Sequence, residues 1–333
     1  MMQRLEVIYL VCPDAHLYME LRWNPVAAEW IVVSAKRKER PIVEQEGCPF
    51  CPGSSEIPSG DWDVLVLENK FPSLTTEPPE PDQGVVPPYK VRPSYGACLV
   101  VVFSPSHSLH LGQMAVSHVE KIVEAWSGLM ERFSSDMKVK YVLVFENRGK
   151  EMGVTIEHPH GQVYAFPFIP PIIRREMDVS RHYFVKEKRC LFCDVVKAET
   201  STRSRLVYEN GSFISFIPFA PKMPYGISIY PKRHVADLLD LNAVERHDLS
   251  DSIRQVVASL DGLFKREMPY SMVLHQQPTD RSASAFYHFH IEFFPKYRER
   301  DKLKFLAGVE LGAGTVTYDY LPEEKAAELR EVR

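Results

Sequence analysis

No apolar run in this sequence approaches the ~20 residues that a membrane-spanning helix requires, and the short run Val7 to Cys12 is bracketed by Glu6 and Asp14. The basic start, longer apolar core and small-residue cleavage pattern of an export signal are missing as well, so a cytoplasmic location is expected. Positive charge is not in excess: 40 Lys+Arg against 44 Asp+Glu give a formal net charge of −4. That balance leaves no electrostatic footprint for nucleic acid and confines phosphate binding to local groups. Glycine is sparse, and the lone Gly312-Ala313-Gly314 lacks the third glycine and strand-to-helix setting of a dinucleotide loop; it reads as a turn. Cysteine is scarce too, 6 in 333 residues, which argues against a disulfide framework.

What cysteine there is falls into a pattern. Cys48-Pro49-Phe50-Cys51 and Cys190-Leu191-Phe192-Cys193 are CxxC pairs, each able to offer two thiolates to a metal from one tight turn. Cys12 and Cys98 stay outside that pattern and read as buried hydrophobes. A second chemistry-bearing stretch is Glu157-His158-Pro159-His160-Gly161-Gln162. In an extended segment alternate side chains share a face, so His158, His160 and Gln162 are expected to point one way. Pro159 restricts the backbone before it, and Gly161 lets backbone approach a ligand.

At 333 residues the chain should form two domains, expected at 1–170 and 171–333. The pattern along the chain supports this, because one order occurs twice. In the first copy the Cys48/Cys51 pair is followed by strands at 63–67 and 97–103, and then by His107 just past a strand end. A helix over 113–133 comes next, with Val119, Ile122, Val123, Trp126, Met130 and Phe133 at helical spacing. A strand at 141–145 then leads into the His-x-His.

In the second copy the Cys190/Cys193 pair precedes strands at 205–209, 212–217 and 226–230, and His234 follows. A helix over 242–264 opens with Asn242 and Glu245 in a cap-like relation. Strands at 271–275 and 286–294 complete the copy, the last carrying His288 and His290. Between the copies, Pro167 to Pro171 reads as a linker and the charged segment around Glu176 as a helix. The Pro-rich stretch Thr76 to Pro93 is expected to be irregular and exposed. The fold class is therefore α+β: two similar domains, each a mostly antiparallel sheet covered by a long helix.

These residues resemble those of the galactose-1-phosphate uridylyltransferases, of the histidine-triad superfamily, over nearly the whole chain. The resemblance rests on the Cys48/Cys51 knuckle, Ser104-Pro105-Ser106-His107-Ser108, Phe145-Glu146-Asn147, His158-Pro159-His160-Gly161-Gln162 and Lys304-Phe305-Leu306-Ala307-Gly308. It implies exchange of UMP between UDP-glucose and galactose 1-phosphate, with His160 as the nucleophile and Gln162 donating to the phosphoryl oxygens. It also implies a structural zinc on Cys48, Cys51, His107 and His158. Arg37, Arg40, Asn69, Asn147, Gly153, Thr155 and Gln162 would surround the nucleotide, and Lys304 and Glu310 the hexose. A homodimer is implied as well, since members of the family take part of the hexose contacts from a second subunit.

For the second metal two sets stay open. Analogy between the copies gives zinc on Cys190, Cys193, His234 and His288, which soft thiolates favour. Some relatives instead use a carboxylate and three histidines for iron or zinc, here Glu176, His275, His288 and His290. Phe289 and Glu292 stand where the first copy has Pro159 and Gln162, so no second active site is expected. Two other functions remain: a related nucleoside-diphosphate-hexose phosphorylase, for example on ADP-glucose, using the same histidine adduct, and a non-catalytic zinc or nucleotide-binding protein. Retention of His160, Gln162 and Asn147 argues against the last, because zinc binding alone needs none of them.

Overall fold

In a computed structural model of the chain, residues 7–8, 18–35, 47–54, 56–57 and 59–332 are described. Arg37, Arg40 and Cys12 lie outside them. Runs of β-branched and aromatic residues give strands, and the two long periodic patterns give helices. The N-terminal half contains β1 (Val7–Ile8), β2 (Met19–Asn24), β3 (Glu29–Ser34), β4 (Leu65–Glu68), β5 (Val91–Pro93), β6 (Ala97–Val102), α1 (Val116–Ser134), β7 (Tyr141–Arg148) and β8 (His160–Phe166). Two helices follow, α2 (Pro171–Glu187) and α3 (Leu191–Thr202), then β9 (Leu206–Glu209), β10 (Phe213–Phe216), β11 (Ile227–Pro231), α4 (Ala243–Leu263), β12 (Tyr270–His275) and β13 (His290–Pro295). The chain closes with the hairpin β14 (Tyr297–Glu299) and β15 (Lys302–Leu303), and with α5 (Gly308–Ala313) and α6 (Pro322–Glu331).

Among the described residues, ten strands form one sheet in the order β1-β4-β6-β8-β7-β12-β13-β11-β10-β9. All neighbours run antiparallel except β1 and β4. A separate three-stranded sheet, β3-β2-β5, carries part of the Pro-rich stretch as its edge. The two halves meet where β7 pairs with β12, so their sheets are continuous. Each His-x-His stands at the start of a strand one position away from that seam, β8 on one side and β13 on the other. The duplicated order in the sequence is thus a two-fold relation across the seam.

Helices α1 and α4 cover one face of this sheet. The α1 stripe of Val119, Ile122, Val123, Trp126, Met130 and Phe133 is buried in a core shared with α4 residues Leu249, Ile253, Val256, Val257 and Leu260. Asn242 begins α4 as its sequence position predicts: its side-chain oxygen accepts from the Glu245 amide at 3.0 Å, and the Glu245 carboxylate accepts from the Asn242 amide at 2.9 Å. Such a capping box contributes about 1 kcal/mol. Along β8, Gly161, Val163 and Ala165 are buried on the helix side, while His160, Gln162, Tyr164 and Phe166 alternate onto the other face. Gly161 is required by space, since a Cβ there would meet the Phe103 ring at 2.9 Å.

Three features depart from the sequence expectation. The strand expected over 286–294 begins only at His290, because residues 282–286 form a turn and residues 287–289 after it stay outside the ladder, the Phe289 amide being taken by the Val235 carbonyl. Residues 191–202 form helix α3 rather than leading straight into strands, with Cys190 at its N-terminal boundary and Cys193 in its first turn. The C-terminal α5 and α6 were not expected at all; they are short, and their apolar positions do not sustain a long helical period. Among the described residues, no helix is long and apolar enough to cross a membrane.

Candidate active site and metal centres

The sheet face opposite α1 and α4 carries the chemistry. At the start of β8, His158 is fully buried and its Nδ1 lies 3.6 Å from Cys48 Sγ and 3.7 Å from Cys51 Sγ, while His107 Nδ1 lies 3.4 Å from Cys51 Sγ. The four donor atoms lie within 4.8 Å of one another. For a tetrahedral ion with metal–sulfur bonds near 2.3 Å and metal–nitrogen bonds near 2.05 Å, sulfur and nitrogen ligands stand about 3.6 Å apart. The residues therefore fit a zinc-sized ion. His158 Nε2 donates to the Ser104 carbonyl at 2.7 Å, which turns Nδ1 and its lone pair toward the thiols. Burial lowers the His158 pKa and so favours the neutral ring that metal binding needs.

The second half repeats this arrangement with different local structure. Cys190, Cys193, His234 and His288 gather within 4.8 Å, with Cys193 Sγ at 3.3 Å from His234 Nδ1 and 3.5 Å from His288 Nδ1. Again each imidazole is turned by its far nitrogen, His234 to the Ser284 carbonyl at 2.7 Å and His288 to the Pro231 carbonyl at 3.0 Å. The thiols here are offered from the start of a helix, whereas Cys48 and Cys51 sit in a turn closed by the Cys51 amide on the Cys48 carbonyl. These donor distances also fit a tetrahedral ion.

Glu176, His275 and His290 form a third group. The carboxylate-and-three-histidine set is thereby divided: His288 turns its Nδ1 to the thiols, and the other three residues lie together without it. His275 Nδ1 lies 3.1 Å from each Glu176 oxygen, and the Tyr287 hydroxyl donates to the same carboxylate at 2.6 Å. Burial opposes ionisation of Glu176, yet those two partners hold its pKa down at about 2. Burial also presses His290 down to about 4, leaving it neutral beside a His275 whose own pKa the carboxylate raises.

His160 and His290 occupy equivalent places and share one hydrogen bond. His160 Nδ1 donates to the His158 carbonyl at 2.8 Å, and His290 Nδ1 to the His288 carbonyl at 2.9 Å. In each ring the lone pair is thereby placed on Nε2. Their surroundings differ. His290 is 1% exposed and stacked on Tyr230, with ring centroids 4.8 Å apart. His160 is only half-buried and lines a cavity of about 220 Å³ with Asn147, Arg148, Gly149 and Glu157. The other side of the His160 ring meets Phe50 edge-on at 5.2 Å.

The remaining expected site residues divide into near and far. Gln162 is two residues along β8 on the His160 face, and Gly153 and Thr155 lie in the loop whose Val154, Ile156 and Glu157 line the cavity. Asn69 does not line it; its side-chain oxygen accepts from the Phe71 amide at 2.9 Å. Lys304 and Glu310 pair with each other at 3.3 Å, and neither lines the His160 cavity of this chain. Several residues were not foreseen. Phe50, between the thiols, was visible in the CxxC stretch itself. Glu146 stood in the Phe145-Glu146-Asn147 stretch without a role of its own, and Arg148 and Gly149 had no signal beyond their nearness to Asn147.

Behind Asn147 the wall of the cavity is braced by the second half. Arg148 Nη1 donates to both oxygens of Asp261 at 2.9 and 3.0 Å, and the Tyr270 hydroxyl donates to Glu146 at 2.8 Å. Gly149 has φ +90° and stands so close to Pro269 that a Cβ would meet its side chain at 2.7 Å. Burial pushes the Glu146 carboxyl up to about 7, against the opposing Tyr270 hydrogen bond and Arg148 charge. A folded-state pKa above the unfolded one means that this group's stabilisation is complete below pH 4.5 and is lost as pH rises through 7. Glu146→Gln is expected to remove a fall of up to about 3 kcal/mol between those limits. Denaturant unfolding of both proteins at pH 4.5 and 7.5 checks this, and parallel pH slopes would show that Glu146 does not titrate there.

The family model for the galactose-1-phosphate uridyl transferase N-terminal domain matches residues 11–170, and that for the C-terminal domain matches residues 176–333. The chain is 40% identical to a galactose-1-phosphate uridylyltransferase of Thermotoga maritima over 94% of its own length and 98% of that protein. A solved structure described as a uridylyltransferase superposes with a TM-score of 0.86 at 39% identity, covering 94% of this chain and 98% of the other. An ADP-glucose phosphorylase from Arabidopsis thaliana with bound ADP-glucose superposes with a TM-score of 0.73 at 25% identity, covering 95% and 99%.

Proposed function

Because the chain belongs to the galactose-1-phosphate uridyl transferase family, we propose that it moves UMP between UDP-glucose and galactose 1-phosphate through a covalent uridylyl-His160. The observation that carries this reading is the His160 ring, whose Nδ1 proton is committed to the His158 carbonyl while the ring lines a cavity with Asn147. In the first step the Nε2 lone pair attacks the α-phosphorus of UDP-glucose. A P–N bond forms, the bond from that phosphorus to the bridging oxygen breaks, and glucose 1-phosphate leaves with the electron pair. In the second step a phosphate oxygen of galactose 1-phosphate attacks the same phosphorus, the P–N bond breaks, and UDP-galactose leaves. The imidazole returns to its starting form, so no proton or co-reactant is left over.

Asn147 and Gln162 supply neutral amide donors to the phosphoryl oxygens, whose charge shifts as bonds exchange. Gly153 and Thr155, in the loop beside the cavity, are read as nucleotide contacts, and the family resemblance adds Asn69, Arg37 and Arg40 to that role. Cys48, Cys51, His107 and His158 would hold a zinc ion, which would supply rigidity and not bond exchange. His158 then anchors the backbone whose carbonyl orients His160. The second Cys2His2 group would hold another zinc. Residues 1–170 accordingly carry the reaction, and residues 171–333 carry the second metal.

Lys304 and Glu310 are read as hexose contacts for the cavity of a second copy in a homodimer. Their locked pair lies beside a run of exposed apolar side chains, including Phe305, Val309 and Leu311. The cytoplasm fits a protein whose thiols must stay reduced to bind metal. A phosphorylase reading keeps one specific support, the likeness to the ADP-glucose enzyme.

Intact mass of the purified protein after incubation with UDP-glucose, then with galactose 1-phosphate or phosphate, separates these readings. A UMP-sized gain removed by galactose 1-phosphate, with UDP-galactose appearing, is expected. Removal by phosphate alone makes the protein a phosphorylase, and no gain with either UDP-glucose or ADP-glucose overturns the His160 adduct.

A further inference from the structure

The cavity beside His160 is lined by the first half and by Glu267 of the second, and the side chain bonded to Asn147 across the seam also comes from the second. In the β7–β12 pairing, Ser271 stands directly opposite Asn147. The Ser271 hydroxyl donates to Asn147 Oδ1 at 2.6 Å. Asn147 Nδ2 makes no hydrogen bond among the described residues. Both residues are half-buried on the His160 face of the sheet. An asparagine carboxamide has two ends of similar shape and opposite polarity, and only its NH₂ end stabilises a phosphoryl oxygen. Fixing the oxygen end fixes what the other end presents.

We propose that Ser271 is a positioning residue for nucleotidyl transfer, holding the Asn147 carboxamide so that its NH₂ faces the phosphoryl group at His160. The proposal rests on the transferase reading above. The residues on either side of Asn147 are tied to the second half by Tyr270 and Asp261, so the β7 backbone keeps its place when the Ser271 hydroxyl is removed. What changes is the freedom of one carboxamide. In Ser271→Ala that group turns about its terminal bond, and its oxygen spends part of the time toward a negatively charged substrate.

The test is a cycle of Ser271→Ala, Asn147→Ala and the double variant, with Ser271→Thr as the conservative control. The readouts are the single-turnover rate of UMP adduct formation from UDP-glucose, together with steady-state kcat and KM. Ser271→Ala is expected to slow adduct formation about tenfold with KM nearly unchanged, and Ser271→Thr to restore most of it. In the Asn147→Ala background, Ser271→Ala should cost nothing further. Equal losses in both backgrounds, or a wild-type rate in Ser271→Ala, overturn the role while leaving the transferase reading intact. A wild-type protein that forms no adduct overturns that reading, and this role with it.

Discussion

Replacing His160 with glycine is expected to abolish the UMP adduct and lower turnover by at least about 10⁴-fold, as loss of a covalent nucleophile does, while metal content stays at the wild-type level. The two neighbouring histidines carry separate tasks in this structure. His158 directs Nδ1 at Cys48 and Cys51 and Nε2 at the Ser104 carbonyl, so both of its nitrogens are committed to the thiolate centre and its support. His160 joins that centre through its hydrogen bond to the His158 backbone carbonyl and through the Phe50 ring of the 48–51 turn, and that carbonyl remains when the imidazole is gone. Glycine at the first residue of a strand costs about 1 kcal/mol, too little to unfold a domain. Metal analysis alongside steady-state kinetics checks the division, and metal lost in proportion to activity would refute it.

The second large effect concerns the two thiolate centres, which should fail differently. Cys48→Ser/Cys51→Ser is expected to remove one metal equivalent and at least about a hundredfold of activity, an effect of the size seen when the support of a site is lost. The reason is connectivity. The first centre joins the 48–51 turn, the loop carrying His107 and the start of β8, and Phe50 of that turn packs against the His160 ring.

Cys190→Ser/Cys193→Ser should remove the other equivalent and lower the thermal midpoint, with kcat changed less than about tenfold. By register, His290 is four residues along and three strands across from His160, roughly 20 Å away at ordinary strand spacings. The measurements are metal stoichiometry, thermal unfolding and kcat for both variants. Similar kcat losses from the two would show that the halves are coupled more tightly than this separation allows.

Much of the site was legible because its chemistry sits in short spacings. The CxxC pairs, the His-x-His pairs and the strand-end histidines pointed to Cys48, Cys51, His107 and His158 and, as one of two open sets, to Cys190, Cys193, His234 and His288, and the structure brings the donors of each together. The long helices were legible from periodicity, and the α4 cap from Asn242 and Glu245. What remained hidden depends on pairing through backbone. Nothing in Tyr141–Arg148 or Tyr270–His275 announces that these strands adjoin, because ladder hydrogen bonds carry no residue code. Ser271 was silent for that reason, as were Arg148 and Asp261. The choice between ligand sets for His288 was open too, since one imidazole reads the same whichever partner its ring is turned toward.

The β7–β12 seam also bears on how such a chain could arise. A single half ending its sheet at β7 would leave a row of unpaired amides and carbonyls along an eight-residue strand, an edge that invites other strands to add to it. A second copy turned by a two-fold rotation satisfies both edges at once, which is the geometry of an isologous dimer. Fusing two such copies into one polypeptide makes the pairing intramolecular and frees it from dependence on concentration. Each copy can then diverge, one keeping its histidine open to solvent and the other closing it under tyrosine and phenylalanine.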